Sequence, residues 1–333
     1  MALDLPLVFA LTVAFSIALY VVLDGFDLGV GILFLLAPSD RERDTMMNSI
    51  APVWDGNETW LVMGGTLLFA AFPVVYAAVL PAFYVPLMLM LLALVFRGIA
   101  FEFRFRANRS RILWDWAFSV GSGVVALMQG IMLGAFISGV PVRDGQFAGT
   151  TFSFFSGFAL ASGLGVLAGY ALLGAAWLIF RTEATTQDFA RRQAPWTLAV
   201  TLLFIGVVSL WTPFSNPFIA ERWFSFPNFL FLWPVPLVTA ALAFGIWRTV
   251  FGSRDWLPFL LSIGLFMVAY LGLAISLWPY AIPYSVTLQQ AAGSRDTLVF
   301  LAVGTAIILP ITIAYLGYAH WIFRGKVSTG YGH

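Results

Sequence analysis

Apolar runs long enough to cross a bilayer recur from one end of this chain to the other, and no other feature restricts its fold so tightly. A hydrocarbon core of about 30 Å asks for about 20 apolar residues per helix. On that measure nine spans are predicted, at roughly 6–36, 59–80, 81–103, 114–139, 151–180, 195–212, 226–248, 256–280 and 296–323. The expected fold is an all-α integral membrane protein, a single polytopic membrane domain over residues 1–333. Composition agrees, with 61% hydrophobic and 10% charged residues, against about a quarter charged in an average chain. The opening MALDLPLVFA lacks a basic flank, so the first run reads as a span and not as a cleaved signal. The second and third spans are expected to form an antiparallel pair through a tight turn near Leu80-Pro81.

The distribution of Lys and Arg predicts orientation. One set of loops holds Arg41, Arg43, Arg104, Arg106, Arg109, Arg111, Arg181, Arg191, Arg192, Arg248, Arg254, Arg324 and Lys326; the other holds only Arg143, Arg222 and Arg295. The N-terminus is therefore expected outside and the C-terminus in the cytoplasm, which requires an odd number of spans. A net charge of +1 argues against nucleic acid as a partner, and with no cysteine there are no disulfides, thiolate chemistry or Cys-ligated clusters.

The charges inside the spans carry the functional signal, because an ionisable side chain in hydrocarbon is expensive. Span one carries Asp24 and Asp27 in LDGFDLGVG, span two opens on Asp55 and Glu58 in WDGNETW, and span three carries Arg97 and Glu102. Depths counted along the helices place all six in the same half of the bilayer. Asp24 and Asp27 are at i,i+3, as are Asp55 and Glu58, so each pair can share a helix face. Five acids around one intramembrane arginine cannot all stay ionised, and such a cluster suits a proton relay. The same residues would also serve an ion-pair scaffold holding three helices together. For Glu102, beside FRFRANRSR, an interfacial salt bridge is the simpler reading. Gly25, Gly29 and Gly31, and the small residues of SGFALASGLGVLAGYALLGAA, predict close helix contacts.

Haem-binding spans need axial ligands, usually histidine. This chain has two histidines, His320 near the end of the last span and His333 in the tail, and its nine methionines are scattered as packing residues. It is a poor haem protein by itself, and no spacing suggests a metal site. Trp54, Trp60, Trp114, Trp116, Trp211, Trp223, Trp278 and Trp321 fall near span ends, where interfacial belts form.

Three blocks in order, DGFDLGVG (24–31), NSIAPVWDGNETW (48–60) and FRGIAFEFR (96–104), followed by WDWAFSVGS, resemble subunit II of bacterial cytochrome bd-type quinol oxidases. The later match, in span count and in PITIAYLGYAHWIF, is weaker. The resemblance implies a nine-helix subunit of the bacterial inner (plasma) membrane, its N-terminus periplasmic. It implies a partner subunit I carrying two b-type haems and one d-type haem, with the quinol site facing outside. Subunit II then binds no haem, stabilises the haem centres, and in some members holds a structural quinone. Quinol, membrane lipid and a small accessory single-span subunit are further partners that this reading admits. The family's proposed proton route maps onto Asp55 and Arg97, with Asp24 and Asp27 close by. This chain departs from some members at Leu23, where they have Thr, and at Gly98, where they have Pro. Its short outside loop Pro213–Ser225 is similar to that of the compact, cyanide-insensitive branch. A proton-coupled secondary transporter is the alternative from another class, since buried acids and Gly-interrupted helices suit it too.

Overall fold

The computed structural model describes residues 4–327, most of them helical. Helices α1 (Leu5–Phe34), α2 (Asp40–Ile50), α3 (Trp54–Ala71), α4 (Pro73–Ala82), α5 (Tyr84–Arg104) and α6 (Arg111–Ser138) come first. A hairpin of β1 (Val142–Arg143) and β2 (Gln146–Phe147) leads to α7 (Gly157–Arg181), α8 (Ala184–Ser215), α9 (Pro217–Phe224), α10 (Asn228–Leu232), α11 (Pro234–Thr249) and α12 (Trp256–Leu277). A second hairpin, β3 (Tyr280–Ile282) with β4 (Val286–Thr287), precedes α13 (Leu288–Ala291) and α14 (Arg295–Ile322). The first hairpin turns at Asp144 and Gly145, whose φ values of 51° and 76° are those an Asp-Gly turn adopts.

Among the described residues 8 stretches are long and apolar enough to cross a bilayer: α1, α5, α6, α7, α8, α10 with α11, α12 and α14. The chain is a helical, multi-pass membrane protein. The predicted span at 59–80 differs from this pattern, for it is two helices. α3 starts at Trp54, so WDGNETW forms its first turns instead of leading up to it. It stops at Ala71 because Phe72 precedes Pro73, and a residue before proline is driven out of the helical region; Phe72 has φ −132° and ψ 63°. Pro73 then opens α4, where a missing N–H does no harm. The carbonyl of Ala71, left over by the break, accepts from the Gly293 N–H at 2.8 Å. The turn expected at Leu80-Pro81 falls at Phe83 instead, with Pro81 retained inside α4. Elsewhere α8 begins at Ala184, well before the expected 195, and Pro213–Ser225 is largely helical through α9.

α7 is the hub. It is apolar on all sides, and 72% of its most apolar window is buried against α1, α6, α8 and α12. Its crossing with α1 depends on glycine: a Cβ on Gly29 would lie 1.8 Å from the Tyr170 carbonyl oxygen, and one on Gly174 only 2.2 Å from the Gly29 carbonyl carbon. The two small-residue motifs singled out in the sequence thus face each other at backbone contact. α3 packs on α1 and α5 on α6, and α3 meets α5 through long side chains. Long side chains fill the space between them, and the buried charges lie there.

α14 is turned almost wholly outward, with 6% of its most apolar window buried. It is held at its two ends. The Gly293 bond to Ala71 secures the start; beyond its finish Val327 N–H donates to the Arg181 carbonyl at 2.8 Å and Lys326 Nζ lies 2.6 Å from Asp255.

Candidate functional site

Three helices build a sealed cluster of charges. Arg97 of α5 has no solvent exposure; its Nη1 lies 2.5 Å from Glu58 Oε1 of α3 and its Nη2 lies 3.3 Å from Asp24 Oδ1 of α1. An unpaired guanidinium here would carry a desolvation penalty of several kcal/mol, so the two carboxylates are what allow it to be buried. Trp54 and Phe101 stack on each other at 4.6 Å, and the Arg97 guanidinium carbon lies 5.8 Å and 5.9 Å from their ring centroids. The ring faces add a favourable cation–π contact while excluding water.

Asp27, fully buried, meets Asn57 instead of Arg97: Asn57 Nδ2 donates to its Oδ2 at 2.7 Å, with the Leu23 carbonyl 3.4 Å from the same nitrogen. Asp55 stands exposed in the first turn of α3 with no ion pair among the described residues, whereas the Glu58 side chain is 24% exposed. The acids therefore grade inward, from open Asp55 through half-buried Glu58 to sealed Asp24 and Asp27. Glu102 is exposed, and among the described residues it has no ion-pair partner, so the interfacial salt bridge expected for it is not seen there. Both carboxylate oxygens of Asp24, Asp27 Oδ1, Asn57 Oδ1 and Arg97 Nε are buried and make no well-formed hydrogen bond. Buried polar atoms with unused bonding capacity are rare in proteins and call for an explanation. Carboxylates of graded exposure beside such atoms have what proton exchange requires.

Sequence reasoning left several participants without a role. Asn57 lies inside the quoted WDGN motif, but an uncharged amide at a span end gives no signal of burial. Trp60, expected in an interfacial belt, is 2% exposed and meets Phe15 edge-on. Arg104, counted among basic loop residues, is fully buried, 2.5 Å from Asp115 Oδ1 and 2.5 Å from Asp44 Oδ1. Arg43 joins Asp115 at 3.1 Å and Arg111 joins Asp44, so α2, α5 and α6 share one ion network. The available signal was spacing: Arg97 and Arg104 are two turns apart on one face of α5.

Outside the spans, hydrogen bonds from Ser39 and Thr185 hold the Glu42 carboxyl below the usual glutamate range. The Thr185 bond, 2.7 Å long, ties α2 to α8. Burial alone would raise Asp255, but hydrogen bonds from Lys326 and Gln187, with the charges of Lys326 and Arg191, hold it below its ordinary value. His320 sits in the last turn of α14 with Nδ1 3.0 Å from the Leu316 carbonyl oxygen, and His333 lies outside the described residues. No group of three or more His, Cys, Asp or Glu among the described residues could hold a metal ion. This donor set does not fit paired axial ligation of haem.

Fold and site define a class: polytopic helical membrane proteins built around an intramembrane ion cluster. Residues 5–323 match the family described as cytochrome bd terminal oxidase subunit II, and the chain belongs to that family. It is 30% identical to cytochrome bd-I ubiquinol oxidase subunit 2 of Escherichia coli strain K12, over 93% of this chain and 91% of that protein. It is 26% identical to cytochrome bd ubiquinol oxidase subunit 2 of Bacillus subtilis strain 168, over 92% of each. Its fold is similar to a chain of the bd oxidase of Geobacillus thermodenitrificans, with a TM-score of 0.77 at 16% identity, covering 96% of this chain and 99% of that one.

Proposed function

We propose that the chain is the haem-free second subunit of a cytochrome bd-type quinol:oxygen oxidoreductase in a bacterial inner membrane. In this reading it stabilises a haem-bearing subunit I, which holds two b-type haems and one d-type haem, and carries part of a proton path from the cytoplasm. Quinol oxidised at the outer face leaves its protons there, while the protons consumed in making water come from the cytoplasm. The enzyme then builds membrane potential without pumping. The chemistry of electron transfer belongs to the partner; this chain supplies carboxylates and a fixed cation.

The reading assigns nine spans, with α3 and α4 together forming the second, the N-terminus outside and the C-terminus in the cytoplasm. Thirteen basic residues in one set of loops against three in the other support that orientation. Asp55 is the entrance carboxylate and Glu58 the next station. Arg97 fixes the electrostatics, Asp24 and Asp27 complete the cluster, and Glu102 has no part in it. One observation carries the proposal: Glu58 and Asp24 converge on a sealed Arg97, and Asp55, three residues before Glu58, is exposed in the first turn of α3. That exposed turn is where a partner subunit or the cytoplasm could hand over protons.

The test begins with membranes purified through a tag on this chain, examined for b- and d-haem absorption and quinol-driven oxygen uptake. Asp55→Asn is expected to lower turnover by about tenfold or more with the haem spectrum intact. Full turnover in that variant would remove Asp55 from the path. A haem-free, catalytically silent preparation, stable without a partner, would favour the proton-coupled transporter.

A further inference from the structure

Two buried tyrosines bridged by a half-buried glutamine lead from Asp24 into the centre of the bundle, across α1, α6 and α7. Gln129 Nε2 donates to the Tyr20 hydroxyl oxygen at 2.6 Å, and the Tyr170 hydroxyl donates to Gln129 Oε1 at 2.7 Å. Tyr20 is 4% exposed and Tyr170 2%. The donor directions matter here. Tyr170 uses its one hydrogen on the amide oxygen, which leaves the amide nitrogen to donate to Tyr20. Tyr20 is then an acceptor towards Gln129, and its own hydrogen remains unused.

Tyr20 and Asp24 are four residues apart on α1, hence neighbours on one helix face. Both carboxylate oxygens of Asp24 are buried without a well-formed hydrogen bond, its contact with Arg97 is a looser 3.3 Å, and the Tyr20 side chain is close enough to interact with it as a hydrogen-bond donor. The opposite amide orientation would commit the Tyr20 hydrogen to Gln129 and leave Asp24 with no neutral donor. The glycine motif belongs to the same device. A Cβ at Gly25, the residue after Asp24, would lie 2.9 Å from Tyr170 Cε1, so glycine there admits the ring whose hydroxyl orients the amide. Phe266 stacks on the other face of that ring at 5.8 Å.

We propose that Tyr20 is a positioning residue for the proton path, its hydroxyl oriented by Gln129 and Tyr170 to donate to Asp24 and hold that carboxylate towards Arg97. The inference rests on the proton-path reading above. An amide passes a proton on far less readily than a hydroxyl, so the chain ends at Gln129 and acts as a bracket, with no second branch of the path. Tyr20→Phe removes one oxygen and keeps the ring, which leaves packing intact.

The experiment is redox-difference infrared spectroscopy of the purified complex, in which the band removed by Asp24→Asn is the signature of that carboxyl or carboxylate. In Tyr20→Phe this band shifts, Tyr170→Phe shifts it less and in the same direction, and haem absorption per complex is unchanged. Oxygen-uptake turnover in Tyr20→Phe falls by about tenfold or more, the worth of one buried hydrogen bond to a charged group. An Asp24 band that Tyr20→Phe leaves in place, the lack of any Asp24-dependent band, or full turnover alongside a shifted band each overturns the positioning role. Full turnover in both Asp24→Asn and Asp55→Asn would sink the underlying proton-path reading instead, so the two failures are told apart.

Discussion

Arg104 and Arg97 occupy equivalent positions two turns apart on α5, yet they answer to different surroundings. Arg104 holds together Asp44 and a 2%-exposed Asp115, at the end of the bundle where the basic loops gather. Removing the cation would leave the buried Asp115 with Arg43 as its one remaining ion partner, at a cost of up to about 3 kcal/mol. Arg104→Met is therefore expected to lower the thermal stability of the complex markedly at neutral pH. Arg111→Met, on the exposed rim of the same network, should cost less than about 1 kcal/mol, and the two unfolding midpoints measured side by side check the contrast. This scale also shows where sequence reading ran out. Asp24, Asp27 and Arg97 are legible because a charge inside an apolar run stands out by its expense. Arg104 and Asp115 lie near run ends, where a charge ordinarily reaches water, so nothing marked them as buried. Asn57, Tyr20 and Gln129 carry no charge at all, and their part depends on which donors happen to face which acceptors. Only coordinates supply that.

Among the elements, the α1–α7 crossing is the one most exposed to a small substitution. The contact is backbone on backbone at Gly29 and Gly174, and a methyl group at either position meets atoms that cannot swing aside. Overpacking of this kind costs about 1–3 kcal/mol and displaces the helices. Since α1 also carries Asp24 and Asp27, Gly29→Ala is expected to reduce the yield of intact complex and to weaken the Arg97 cluster, read as haem content per milligram of purified membrane. Gly65 has nothing within 4 Å of the place its Cβ would take, so Gly65→Ala should leave that yield unchanged. The sequence motifs predicted close approach at these glycines, but not which helices would meet. The second span teaches the same lesson in reverse. Pro73 was plainly visible, but whether a proline kinks, ends or merely starts a helix depends on who accepts the freed bond, and Gly293 lies far along the chain. Spans two and three likewise meet through long side chains, among them Trp54, Phe101, Glu58 and Arg97, and which side chains would do so is not written in their adjacency.

At the scale of the whole molecule, the bilayer decides more than the core does, and the class of fold was readable from hydropathy alone. What hydropathy cannot rank is which spans face protein and which face outward, since α7 and α14 have similarly apolar sequences and opposite surroundings. The proposed orientation, drawn from the charge asymmetry of the loops, puts the C-terminus in the cytoplasm. Green fluorescent protein fused after the last residue is therefore expected to fluoresce, and alkaline phosphatase in the same place to stay inactive; the reverse pair of results would invert the orientation. The two moorings of α14 carry a further consequence for how such a chain is made. Its anchors, Ala71 at one end and Arg181 with Asp255 at the other, belong to segments that leave the ribosome earlier. Insertion proceeds from earlier segments to later ones, so this helix can be secured only once those segments are in place. Lys326 and Val327 then act as a latch that closes only after the segments bearing Arg181 and Asp255 have entered the membrane.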